Sequence, residues 1–384
     1  MGRTAWREFS LLLRRPVLLG LVVLLPVLMI ALLTGIFRAG IPTGMVVAVV
    51  DLDRSDLSRS ITRMLDAAPE VLVTHQALSL SEARALIVSG AVRGAVWLPA
   101  GLERGMTRGE RPEIVTFYDN QHMSAGSMVA RGARGAVDTA LADLRLSIRR
   151  GQGEAPALAQ TALQPIPLQT HALFNPAFDY VHFLLAALVP TVLQILAAAG
   201  TAYAISLDFG PGRDPRGLVR LAGGLLPAML GKILPYTALF LLILGLSDVV
   251  LYGWLGVPLR GSLPLMAAGA VLFVLAAQLI GALAFVATRS MATAASIIAV
   301  ITAPAFGFMG LGFPREAMSW VAQGWSALIP GTWYVQLRID QSLRGTPVEI
   351  SVWPMLWLAL ITIGLGGLTL AQLARLRWAT EVTG

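Results

Sequence analysis

Residues 16–37 run without a single charged side chain, PVLLGLVVLLPVLMIALLTGIF. A helix rises 1.5 Å per residue, so about 20 apolar residues cross the roughly 30 Å hydrocarbon layer of a bilayer. Arg3, Arg7, Arg14 and Arg15 precede the run. A secretory signal has a similar basic start, but its apolar stretch is only about 7–15 residues and ends in a small-residue cleavage site. The run therefore reads as an uncleaved span. Further apolar runs follow at 178–207, 233–255, 264–287, 293–312 and 352–373. Six spans are expected.

Composition agrees with this class. The chain is 56% hydrophobic and 13% charged, against about 25% charged for soluble domains. The net charge of +7 is carried almost wholly by Arg. A basic balance can signal nucleic acid, but Arg at the cytoplasmic ends of spans explains it better. With no Cys in the chain, thiolate chemistry and disulfides are excluded. His75, His122, His171 and His182 lie at no metal-ligand spacing, so no metal site is expected.

Loop charges set the expected orientation. With a cytoplasmic N-terminus, the inner segments hold Arg3, Arg7, Arg14, Arg15, Arg213, Arg216, Arg220, Lys232, Arg289, Arg375 and Arg377; the short outer loops hold only Arg260, Arg315, Arg338 and Arg344. That asymmetry is the positive-inside pattern. Six spans return the C-terminus to the cytoplasm. The expected division is 1–39 (N-terminal segment and first span), 40–176 (an extracytoplasmic domain) and 177–384 (five spans with an outer hairpin at 313–345).

Residues 40–176 read as a folded α/β domain. MVVAVV at 45–50 is a buried strand ending at Asp51-Leu52-Asp53. Leu57, Ile61, Met64 and Leu65 recur at helical spacing. Ser79 and Glu82 fit a capping box. Short strands are expected at 70–75, 94–98 and 113–118, and a long helix at 121–149. The order βαβαβα predicts a small sandwich with a mainly parallel sheet. Residues 151–167 read as a linker. Asp51, Asp53 and Asp56 form an acidic cluster after a strand, which could be a metal site; more often such residues cap turns and helices.

Several local patterns together resemble a type 2 ABC-transporter permease of the drug or multidrug efflux kind. Phe174-Asn175-Pro176 with Tyr180 is similar to the family's Asn-Pro entry to the second span. Gly231-Lys232-Ile233-Leu234-Pro235-Tyr236 resembles its entry to the third, and 256–261 its outer turn before the fourth. Phe313-Pro314 followed by Trp320, Pro330 and Tyr334 resembles its outer hairpin before the last span. The resemblance covers nearly the whole chain. It implies a polytopic α-helical membrane protein with an inserted extracytoplasmic α/β domain, working as the permease of an exporter in the bacterial inner membrane. It also implies a separate ATPase subunit that binds ATP and Mg, a second permease copy (identical or a close paralogue) and a periplasmic adaptor docked on, or an exit covered by, the 40–176 domain. The family's coupling loop after the second span corresponds here to Asp208, Arg213, Asp214, Arg216 and Arg220. This stretch departs from the family pattern, being broken by Gly and Pro.

No Walker motif is present: Gly231-Lys232 is followed by Ile233 rather than Ser or Thr. No cofactor is expected on this chain. Lys232 reads as an interfacial cation that snorkels to the cytoplasmic side. Ionisable groups at membrane depth are functional candidates. Asp248 reads either as a substrate-path or relay carboxylate, or as a group near the outer end that reaches water or Arg260. Asp179 reads as an interfacial anchor. Gln194 and Gln278 read as hydrogen-bonding glue between helices, and Gly364, Gly366 and Gly367 as a close-packing stripe. The Trp residues near the last outer loop read as an aromatic belt at the lipid interface, and residues 315–345 as short amphipathic helices in it. The rival readings are a membrane-anchored sensor or assembly factor working through the 40–176 domain, and a proton-coupled carrier or intramembrane enzyme, which would need titratable groups the spans hardly offer.

Overall fold

The computed structural model describes residues 2–110, 112–121, 123–151, 173–213 and 216–382. Among the described residues six stretches are helical, apolar and long enough to cross a membrane: Pro16–Phe37, Val181–Phe209, Leu225–Trp254, Leu263–Thr288, Met291–Phe308 and Val348–Arg375. They are called here the first to sixth spans. The third begins well before residue 233, because Leu225–Gly231 continues the same helix. Residues 2–40 and 173–382 form one compact unit, and residues 41–151 another.

Ahead of the first span lies α1 (Gly2–Arg14). Its buried residues Thr4, Glu8 and Leu12 recur every four positions, which lines them along one face. Trp6, Phe9 and Leu13 are exposed. Trp6 stacks on Phe9 with ring centres 6.1 Å apart. The helix is amphipathic even though a Glu sits in its buried stripe.

The 41–151 unit alternates strands and helices: β1 (Met45–Asp51), α2 (Asp56–Ala67), β2 (Val71–Gln76), α3 (Leu80–Val88), β3 (Gly94–Leu98), α4 (Leu102–Thr107), β4 (Val115–Tyr118) and α5 (Met123–Gly151). The strand order is β2-β1-β3-β4. β1 pairs parallel with β2 and β3, while β4 returns antiparallel along β3. Val47, Val49, Val96 and Leu98 face Leu57, Ile61 and Leu65 of α2 and Val129 and Ala133 of α5. Ala48, Val50 and Ala95 face the other way, onto Ala83 of α3. Both faces of β1 are covered, so its sequence is continuously apolar rather than alternating. Ser55 and Ser79 cap α2 and α3 by accepting from the backbone N–H of Ser58 and Glu82. The expected linker at 151–167 lies, from residue 152 on, outside the described residues.

In the membrane unit, α6 (Arg216–Ala222) lies between the second and third spans. The second and fourth spans are the most enclosed. They meet at Gly281, where a Cβ would run into the backbone of Ala198. The expected stripe at Gly364, Gly366 and Gly367 makes no such approach: nothing lies within 4 Å of a Cβ at Gly364 or Gly367. The close contacts fall at Gly281, Gly269 and Gly331 instead.

After the fifth span come α7 (Trp320–Leu328) and α8 (Pro330–Ile339), the latter continued by a π turn over Asp340–Arg344. α7 leaves Trp320, Val321 and Leu328 exposed. α8 departs from the interfacial expectation, since Pro330–Val335, Leu337 and Arg338 are all buried. It wedges between the second, fourth and sixth spans. Tyr334 stacks on Phe273 at 4.5 Å, and Trp333 on Trp357 at 5.1 Å. The tryptophans therefore divide between surface and core, with Trp320 and Trp353 exposed and Trp333 buried.

Candidate functional site

Charged side chains gather where α1 meets the second and third spans. Lys232 lies about 10 Å along the third span, at 1.5 Å per residue, and its side chain is 1% exposed. Its Nζ lies 3.0 Å from Glu8 Oε2 and 2.5 Å from Asp208 Oδ2. Arg7 donates to both Asp208 oxygens, at 3.1 and 2.5 Å, and to Glu8 Oε1 at 3.0 Å. Tyr236, one turn after Lys232 on the same helix face, donates its hydroxyl to Glu8 Oε2 at 3.0 Å.

Two cations and two carboxylates thus cancel in a network tying α1 to both spans. The pairing is obligatory on physical grounds: an ionised group stripped of water is tolerated only when paired and hydrogen-bonded. The hydrogen bond to Asp208 pushes the Arg7 guanidinium further up, against its partial burial. α1 also packs on α6.

This geometry corrects two expectations. Lys232 does not reach out to solvent; the carboxylates of Glu8 and Asp208 hold it within the helix packing. Asp208 is not in an exposed loop. It belongs to the last turn of the second span, and Arg7 and Lys232 draw it inward. Of the other coupling-loop residues, Arg213 is exposed beyond the helix end, and Arg216 and Arg220 are exposed on α6. Asp214 lies outside the described residues. Gly231 is buried, and Pro235 sits within the third span's helix.

The Asn175, Pro176 and Tyr180 segment leads into the second span and packs on the end of the first. Asn175 donates to the carbonyl of Asp179 and accepts from its N–H, at 3.0 and 2.9 Å. Asp179 accepts from Val181 N–H at 2.7 Å, opening the second span's helix. Tyr180 donates its N–H to Gly40 at 2.8 Å, and its ring stacks on Phe37. Gly40 has φ 67°, and the Asp179 carboxylate occupies the place of its missing side chain.

A second ion pair, buried on its Arg338 side, lies at the opposite ends of the spans. Asp248 Oδ1 is 2.7 Å from Arg338 Nη2 of α8. Arg260, the partner considered from sequence, donates instead to the Leu343 carbonyl at 3.1 Å. The hairpin residues separate: Phe313, Pro314 and Trp320 are exposed, whereas Pro330 and Tyr334 are core. Gln194 accepts from Gly331 N–H at 2.7 Å, and Gln278 from the Thr237 hydroxyl at 2.6 Å. Both amides hold neighbouring helices together.

In the 41–151 unit Asp51 and Asp53 are caps, whereas the exposed Asp56 carboxylate pairs with Arg59 at 2.6 Å. Asp51 accepts from the N–H groups of Asp53 and Arg54 and from the Ser58 hydroxyl. Asp53 accepts from Leu102 and Glu103 N–H at the start of α4. Glu103 in turn accepts from Asp56 N–H at the start of α2. Burial raises the Asp53 carboxyl, but the hydrogen bonds it accepts, from Ser55 and the backbone ahead of α4, outweigh this and hold it below the usual carboxylate value. Among the described residues no group of three or more His, Asp or Glu is placed to hold a metal ion.

Sequence reasoning did not pick out Arg7, Glu8 or Arg338 as site residues. A signal existed for Glu8, which is the one acidic residue in the first fifty and shares a face with Thr4 and Leu12.

Comparison with known proteins adds a family. Residues 16–371 match the model described as ABC-2 family transporter protein. The chain is 27% identical over 333 residues to the inner membrane transport permease YhhJ of Escherichia coli (strain K12), covering 85% of this chain and 84% of that one. It is 24% identical over 318 residues to the probable multidrug ABC transporter permease YbhS of the same organism, covering 82% and 81%.

Proposed function

The chain belongs to the ABC-2 family of transporter proteins, and on that premise we propose that it is the membrane subunit of an ABC exporter, moving its substrate outward from the cytoplasm or inner leaflet with energy from a separate ATPase. ATP and Mg are bound by that partner. The N- and C-termini and α6 face the cytoplasm, and the 41–151 unit lies outside, where a periplasmic adaptor has access to it.

The observation that carries this reading is the buried network of Arg7, Glu8, Asp208 and Lys232. A partner that pushes on α6 and the turn around Arg213 acts beside Asp208. Because Asp208 is ionically tied to Lys232 and Arg7, displacement of the second span's end carries the third span and α1 with it. Side chains joined by buried ion pairs move together, since parting them strands a charge in a poorly solvated site. Pro235 removes one backbone hydrogen bond just after Lys232, giving the third span a place to bend.

A pathway between two permease copies suits the fifth span. Its exposed positions include Ala292, Thr293, Ala295, Ser296, Ala299 and Ala303, small side chains that allow close helix approach in a membrane. The exporter reading is tested by pulling down the tagged chain from its native membrane in mild detergent. An ATPase subunit recovered in equal ratio supports it. Reproducible recovery of the intact chain without one overturns it in favour of a sensor or assembly factor.

A further inference from the structure

The third and fourth spans line a half-open pocket of about 680 Å³ near the ends that lie away from α1, within the range of small-molecule sites. Its walls are apolar, among them Leu241, Leu244, Leu263 and Val271; its polar wall is Asp248, Tyr252 and Tyr334. Behind that wall sits Arg338, whose side chain is 1% exposed.

The Asp248–Arg338 contact is close but poorly aimed. Asp248 Oδ1 and Arg338 Nε and Nη2 are buried without a directed hydrogen bond. Asp248 keeps 20% of its side chain exposed, and its Oδ2 has no partner among the described residues. Tyr252 meets the Met266 sulfur at 3.6 Å and Ser342, and the Arg338 guanidinium lies 5.7 Å from its ring centre. A buried polar group left short of partners calls for an explanation.

We propose that this pocket is a binding site for lipophilic amines: an aliphatic body along the leucine and valine walls and an ammonium head donating to Asp248 Oδ2 beside the Tyr252 ring. The open capacity at the pocket wall is that of an acceptor, since the one cation is sealed behind it. An ammonium there gains a charge-assisted hydrogen bond. Arg338 is the positioning residue: its Nη2, 2.7 Å from Asp248 Oδ1, holds the carboxylate at the pocket wall. The site rests on reading these helices as membrane spans and needs no ATPase.

The test is equilibrium binding of tritiated dodecylamine and tritiated dodecanol to the full chain in phosphatidylcholine nanodiscs, with empty discs subtracted. The expected result is saturable binding of the amine, stronger by about tenfold or more than that of the alcohol, a difference of roughly 1.4 kcal/mol. Asp248→Glu keeps it and Asp248→Asn loses it. Since Asp248→Asn strands Arg338 and can unfold the chain, Ala267→Trp fills the pocket while leaving the ion pair intact, and it too abolishes binding. Equal binding of amine and alcohol, or wild-type amine binding by a folded Ala267→Trp, overturns the proposal. No ATPase is present, so either failure leaves the exporter reading standing.

Discussion

Lys232 Nζ lies 3.0 Å from Glu8 Oε2, a partner 224 positions earlier in the chain. Both side chains are almost wholly out of contact with solvent. The pair joins an amphipathic helix to a membrane span, and Asp208 and Arg7 extend it to a second span.

Removing Lys232 takes one cation from both Glu8 and Asp208 and leaves Arg7 alone to balance two carboxylates. Breaking a buried pair from one side costs about 3–5 kcal/mol. Lys232→Met should therefore lower the thermal unfolding temperature in detergent, read by tryptophan fluorescence. The double variant Glu8→Leu, Lys232→Met should recover much of that loss without restoring transport. Recovery of transport as well would show that the network only stabilises.

Gly281→Ala places a methyl group against the backbone of Ala198, which has no flexible end to yield. Overpacking of this kind costs about 1–3 kcal/mol. Gly364→Ala meets nothing within 4 Å and should be neutral or slightly stabilising, because Ala is the better helix former by up to about 1 kcal/mol. Parallel melting curves of the two variants decide this.

The exposed face of the fifth span is open to cross-linking, because the chain has no native cysteine to interfere. Ser296→Cys should give a disulfide-linked dimer in native membranes under mild oxidation. Cys at buried Ala270 should not. An absence of dimer at Ser296 and at its neighbours one turn away would remove this face as the site of pairing.

Asp53 carries a pH dependence of known sign. Its folded pKa is depressed, so its contribution is present above the unfolded value of about 3.9 and is lost as pH falls through the lower folded value. Asp53→Asn should destabilise the α4 end of the 41–151 unit at pH 6. The difference from the wild type should shrink below about pH 4, as amide exchange at Leu102 and Glu103, corrected for intrinsic rates, would show.

The spans, their number and much of the strand and helix order were legible in the sequence. Apolar run length against bilayer thickness is a one-dimensional property, and so is the continuous MVVAVV run of a strand covered on both faces. Local caps were equally readable, because Ser55, Ser79 and Asp51 act on backbone groups only a few residues away. Charge pairing was not. Glu8 and Lys232, or Asp248 and Arg338, meet only once helices far apart in sequence have packed, and nothing local to Lys232 distinguishes a snorkelling cation from a sealed one. The same holds for α8, whose Gln336 and Arg338 read as interfacial until three spans close around it. The closest glycine contact fell at Gly281 rather than the more conspicuous stripe at 364–367. Which small residue meets a neighbour depends on helix rotation and crossing, and those are set by the whole packed bundle rather than by any one of its helices.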